Sequence, residues 1–157
     1  AFGDYSQVIS PLTLGFDETL EQCTTTKQIY NYNSGEAITL DNIDPNLIQN
    51  QITPLNSPRT AVLGTTNNKL TYRLYTNGVL TPSYFCTPTL PTVPAISQEW
   101  IAEAGVANVK GTIEVTTTNV LNSFTHRIVL KKATLVKGRN NFTLGDSHLL
   151  GELITTN

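Results

Sequence analysis

The chain has no methionine, two histidines, two cysteines and one tryptophan in 157 residues, and only 14% of it is charged. Each shortage closes off a class of function. Ten Lys and Arg stand against twelve Asp and Glu, so no basic excess exists to cover a phosphate backbone and nucleic acid is not an expected partner. Neither Cys23 nor Cys86 belongs to a CxxC or has a histidine close by in sequence, so no metal site of the usual short spacing is expected. No apolar run reaches the roughly 18 residues that a helical membrane span requires. The absence of an initiator methionine makes Ala1 a processed or trimmed end in this reading, and no signal peptide is visible in the sequence, which leaves room for one already removed.

Threonine and asparagine take the place of charge, and a hydrophobic fraction of 39% argues against disorder. Strand signals dominate. In "KLTYRLYT" (69–76), Leu70, Tyr72 and Leu74 alternate with Lys69, Thr71 and Arg73, the period of a half-buried strand. The dipeptide Asn77-Gly78 then predicts a two-residue hairpin whose return arm, "VLTPSYFC", brings Cys86 to a strand end. Prolines 82, 88, 91 and 94 lack the amide a ladder needs, so that arm is an edge or stops at the cysteine. "KQIYNY" and "EAITL" flank "NSG" as a further hairpin, and "DPNLIQNQ" is a helical turn or a loop. The last third reads as a meander of "GTIEVTTT", "SFTHRIVLKKATLV" and "HLLGELITT", with a bulge or strand switch near Lys131-Lys132. One short helix is predicted near 97–106, capped by Ser97, ended by Gly105 and striped by Trp100, Ile101 and Ala104. The expected fold is a single all-β domain over 1–157, an antiparallel β-sandwich of about seven to nine strands.

Cys23 and Cys86 form an even pair 63 positions apart, which predicts a disulfide and hence an oxidising compartment. Two buried free thiols are the alternative. No catalytic residue is expected. His126 falls on the apolar face of its strand, a place for a hydrogen-bonded core histidine. Asp146, Ser147 and His148 adjoin in "GDSH", but neighbouring strand residues face opposite ways and a triad draws on distant segments. Asp17, Glu18 and Glu21 make an acidic patch, and Asp41, Asn42, Asp44 and Asn46 lack the full spacing of a calcium loop. Lys131, Lys132, Lys137 and Arg139 read as an exposed basic face, and "NFT" at 141–143 matches a glycosylation sequon. No cofactor is expected. Tyr75, Tyr84 and Phe85 concentrate aromatic rings around one hairpin, a candidate platform for stacking on a glycan.

Taken together, "FDETLEQC", "KLTYRLY", "SYFCTPTLPTVP", "EWIAEAG" and "GTIEVTTT" resemble a group of uncharacterised flavobacterial outer-membrane lipoproteins. The residues carrying the likeness are Phe16, Asp17, Cys23, Tyr72, Arg73, Tyr75, Tyr84, Phe85, Cys86, Pro91 and Pro94, and the later meander is similar too. The resemblance implies export, a lipid anchor on a cysteine upstream of Ala1, an outward-facing position and no catalytic residues. The expectation is therefore a non-enzymatic envelope protein, an accessory or scaffold subunit of an outer-membrane or surface complex. Two alternatives stand beside it: a glycan-binding module, and a structural protein of a virus or surface appendage.

Overall fold

The computed structural model describes residues 16–156. Across them the chain runs through β1 (Glu21–Gln22), β2 (Ile29–Tyr32), β3 (Glu36–Asp41), β4 (Arg59–Val62), β5 (Lys69–Thr76) and β6 (Ala95–Ala102). It continues through β7 (Thr112–Val120), β8 (Ser123–Lys131), β9 (Thr134–Lys137), β10 (Asn140–Thr143) and β11 (His148–Thr156). Two antiparallel sheets result, one of seven strands in the order β1-β2-β3-β5-β6-β9-β10 and one of four in the order β11-β8-β7-β4. The all-β sandwich is as expected, with eleven strands among the described residues rather than seven to nine.

The strands form because apolar residues recur at every second position and those positions share one face. The larger sheet turns Ile29, Ile38, Leu40, Leu70, Tyr72, Trp100, Ala102 and Leu135 inward. Ile113, Val115, Ile128, Leu130 and Leu153 meet them from the smaller sheet. Leu70, Ile113, Ile128, Leu130 and Leu135 are fully shielded from water. Each such side chain stabilises the fold by about 1.5–3 kcal/mol through burial.

Two sequence expectations are overturned. Residues 97–106 do not form a helix. Ser97 to Ala102 belong to β6, which lies between β5 and β9, pairs Trp100 with Tyr72, and turns Trp100 and Ala102 into the core. A two-turn helix is marginal by itself, and hydrogen bonding on both sides of a central strand outweighs a weak local preference. Gly105 ends no helix; it packs directly against the Gly111 backbone, and its amide donates to the Leu63 carbonyl at 2.8 Å.

The hairpin at Asn77-Gly78 is the second. The chain turns there, with Asn77 at φ 60°, but the partner of β5 is β6, whose Ala95 sits opposite Thr76. Residues 79–94 leave the ladder and fold over the sheet, carrying a single 3-10 turn at Pro82–Tyr84. Its prolines cannot donate, so a return strand was barred along much of its length. Cys86 therefore sits in a loop, not at a strand end, and at φ 65°.

The predicted irregularity near Lys131-Lys132 is a sheet switch. β8 belongs to the smaller sheet and β9 to the larger, with Lys132 at φ 50° between them. Residues 18–20 cover the free edge of β11. The Leu20 amide donates to the Glu152 carbonyl at 2.9 Å, and the Glu152 amide to the Glu18 carbonyl at 2.7 Å. A β-bulge brings Gly151 under this crossing at φ 151°, where an added Cβ would lie 2.8 Å from Leu20 Cγ. Only a residue without a side chain permits that approach.

Candidate functional site

The opening of a site begins with the disulfide. Cys23 and Cys86 are bonded, with Cα atoms 5.4 Å apart. Cys23 follows β1 and is 1% exposed, whereas Cys86 belongs to the 79–94 flap. The bond therefore pins the flap to the outer face of the larger sheet, and a second apolar cluster fills the space beneath. It comprises Cys23, Tyr30, Ala37, Leu80, Tyr84 and Phe85, with Tyr32 and Tyr75 packed against it. Phe85 stacks on Tyr30 with centroids 4.2 Å apart and planes at 10°, and touches Tyr32 at 5.2 Å. Tyr84 meets Tyr75 edge-on at 5.3 Å.

This arrangement corrects the expected stacking platform. Tyr84 and Phe85 are 3% and 5% exposed, so their faces are spent on packing rather than offered to a glycan. The Tyr75 hydroxyl is buried and has no hydrogen-bond partner among the described residues. Burial, then the neighbouring Tyr84, holds its pKa well above the usual phenol range. The three rings are brought together as predicted, but as the filling of a second core.

Tyr32, like Tyr75, stays half-exposed, and it was not among the residues expected to form a site. "IYNY" alternates, so Tyr30 and Tyr32 project on the face opposite Ile29 and Asn31, and that period was readable. Beside them opens a cavity of about 410 Å³ lined by Asp17, Thr19, Glu21, Tyr30, Asn31, Tyr32 and Pro82. Asp17 Oδ1 accepts the Thr19 amide at 2.9 Å, and Asn31 Nδ2 donates to the Asp17 carbonyl at 2.7 Å. These bonds fix the cavity floor. Tyr30 is 8% exposed. Burial raises its pKa, and the Glu21 carboxylate beside it pushes the same way.

A larger opening of about 670 Å³ lies on the smaller sheet, against Thr60, Val62, Asn108, Thr112, Glu114, Lys131, Lys132 and Asp146. It mixes both charge signs, with Lys131 4.0 Å from Glu114, and none of its lining residues is aromatic. The basic residues foreseen as one face are divided. Lys131 and Lys132 border this opening, while Lys137 and Arg139 sit at the β9–β10 turn.

His126 is wholly buried and fully partnered. Its Nδ1 lies 2.8 Å from Thr117 Oγ1, and its Nε2 lies 2.8 Å from Thr155 Oγ1. Thr155 donates to Asn50 Oδ1, so its oxygen must accept from Nε2–H. Arg59 Nη1 donates to Thr117 Oγ1 at 2.8 Å, which leaves the threonine proton for Nδ1. The network thus assigns a neutral Nε2–H imidazole, and burial with the nearby Arg59 charge lowers its pKa. Arg59 also donates to the Leu47 and Gln51 carbonyls, so the set ties the loop ahead of β4 to the end of the sandwich.

The other polar candidates do not assemble a reactive group. Asp146 and Ser147 are exposed in the loop before β11, and His148 opens that strand. Asp41 accepts from Gln28 Nε2 at 2.8 Å, Asn42 donates to the Thr66 carbonyl, and Asp44 Oδ1 caps the Asn46 amide. Among the described residues no three His, Cys, Asp or Glu side chains converge as metal ligands. No protein-family model, curated protein or solved structure matches this chain.

Proposed function

We propose that this chain is a non-enzymatic, extracytoplasmic module that serves as an accessory or scaffold subunit at a cell surface. The observation that carries the reading is the Cys23–Cys86 bond, which holds a whole loop against the sheet and persists only where thiols are oxidised. Three further features support it. His126, fully buried, spends both ring nitrogens on threonine hydroxyls that anchor a loop. The outward face of the smaller sheet presents Thr116, Thr118, Arg127 and Glu152, a polar surface suited to a reversible contact. The sequence likeness to outer-membrane lipoproteins points to the same placement.

Fractionation of native cells followed by non-reducing mass spectrometry tests the proposal. The expected result is an envelope-associated protein whose mass rises by two hydrogen atoms on reduction, recovered with a partner under mild detergent. A cytosolic, fully alkylatable protein that purifies alone would overturn it.

A further inference from the structure

One end of the sandwich is built without charge. The β7–β8 turn, the loop 50–57 and the last residues of β11 lie there, and no Asp, Glu, Lys or Arg occurs in 45–58, 115–126 or 153–156. The loop is tied to this end by the Thr53 amide, which donates to the Thr117 carbonyl at 3.1 Å, and by Asn50 Nδ2, which donates to the Thr156 carbonyl at 3.4 Å. Behind it, on the outer face of β8 and β11, the first charges are Arg127 and Glu152, which pair at 3.6 Å. Lys27 and Asp44 border a cavity shared with Asn50 and again bring opposite signs.

From this end project Leu121 and Leu55, 90% and 89% exposed, the most exposed large apolar side chains among the described residues. Ile52, Val120 and Ile154 are more than half exposed on the same three segments. Leu121 is the first of the two residues linking Val120 to Ser123, and it stands at φ 55°. Two-residue hairpin loops take glycine or asparagine where φ is positive, so a leucine there works against the turn instead of shaping it. The tip also satisfies its own backbone. Asn119 Nδ2 donates to the Ser123 carbonyl at 3.2 Å, and Ser123 Oγ donates to the Val120 carbonyl at 3.0 Å. Carbonyls closed by side chains of the same turn depend less on water, which is what entry into a medium of low polarity demands.

Three properties decide what such an end meets. It carries no charge, so leaving water incurs no ion-desolvation cost, and an ionic partner finds nothing to pair with. Its leucines protrude from two separate turns rather than line a groove. Residues 50–57 and 118–123 contain no Trp, Tyr or Arg, the side chains that anchor protein interfaces. Fluid acyl chains close around protruding aliphatic groups of any shape, whereas a protein partner needs a matching pocket. We infer that this end docks on an uncharged or zwitterionic lipid surface, with Leu121 and Leu55 entering the boundary between headgroups and acyl chains. The Asn, Ser and Thr side chains beside them stay among the headgroups. Insertion is shallow, because the remaining loop amides need water or headgroup partners. This contact is separate from the proposed surface role, which requires no lipid binding by the chain itself.

Flotation of the purified, oxidised full chain with phosphatidylcholine vesicles tests the docking. Reversible co-flotation is expected, equal on vesicles rich in phosphatidylglycerol and undiminished by high salt, since no charge takes part. Leu121→Gly and Leu55→Ser each weaken partitioning about tenfold or more, the value of burying one leucine, and together they abolish it. Leu121→Gly supplies the residue the turn prefers, so its Tm stays level or rises and lost flotation is not lost folding. Val109→Thr, at a residue also more than half exposed but beyond the opposite end of β7, leaves flotation unchanged. A nitroxide on the lipid acyl chain broadens the amide signals of Val120 to Ser123 and Thr53 to Asn56 and spares those of Val106 to Lys110. No flotation, undiminished flotation of the double variant, or flotation lost with Val109→Thr would overturn the inference. So would self-association of the lipid-free chain that the two leucine substitutions abolish, which would make this end an interface between copies. Cell fractionation reads native placement and flotation reads the purified chain, so the lipid contact and the proposed surface role fail separately.

Discussion

Removing the Cys23–Cys86 bond, by reduction or by a Cys23→Ala/Cys86→Ala double substitution, should detach the flap before it unfolds the sandwich. The magnitudes decide this order. Under the flap, Leu80, Tyr84 and Phe85 are each at most 5% exposed. Their burial contributes about 5–8 kcal/mol at the usual value for large apolar side chains. Ordering residues 79–94 costs on the order of 15 kcal/mol at about 1 kcal/mol per residue for the backbone alone. The few backbone bonds of the segment, such as Leu80 to the Ser34 carbonyl and Tyr84 to the Thr81 carbonyl, do not close that gap. The covalent link, which shortens the free loop, supplies roughly half of what is missing, so the segment's order depends on it. A separation of 63 residues corresponds to about 4 kcal/mol in the loop-closure treatment. For a chain of this size that lowers Tm by about 12 °C. Hydrogen exchange read by mass spectrometry on oxidised and reduced protein is the assay. Peptides covering residues 79–86 should lose protection on reduction, while those from β7 and β8 keep it. Undiminished protection across Leu80 and Phe85 in the reduced protein would refute the reasoning.

Other outcomes follow from the packing. Gly105→Ala places a Cβ 2.0 Å from the Gly111 carbonyl oxygen, a backbone atom with nowhere to move, and should cost about 3 kcal/mol or more in urea unfolding. A loss below about 1 kcal/mol would mean that the Gly105–Gly111 contact is looser than described. His126 and His148 both have pKa values lowered by burial, so below about pH 6.5 the unfolded chain binds protons that the folded chain refuses. Stability should be level above about pH 7.5 and then fall as pH drops, by up to about 1.4 kcal/mol per pH unit for each histidine. The decline ends once the folded-state pKa is passed. His126→Gln should remove one proton's share of that slope in pH-dependent denaturant melts. An unchanged slope would place the titrating group elsewhere.

Several parts of the site and fold were open to sequence reading for a physical reason. A strand exposes alternate residues to alternate sides, so Leu70, Tyr72 and Leu74 declared their face without any partner being known. The same period placed His126 with Ile128 and Leu130 in the core, where it is found. Cysteine arithmetic found the disulfide because there was one pairing to make. Tyr30 and Tyr32 were within reach of the same alternation, but the cavity beside them also needs Asp17, Glu21 and Pro82, which are distant or across a turn in sequence.

What the amino-acid order determined by itself was local and periodic: the all-β class, the strand faces, the turn positions and the cysteine pair. Tertiary structure alone decided whether Ser97 to Ala102 would be helix or strand, because that segment's preference is weak and two neighbouring ladders were waiting for it. It alone decided that the stretch after Gly78 would cover the sheet instead of extending it, which buried Tyr84 and Phe85 and left Tyr32 beside an open, acidic cavity. Those outcomes depend on which surfaces meet across long separations in the chain, and no short-range pattern encodes a surface that forms only after the sheets have packed.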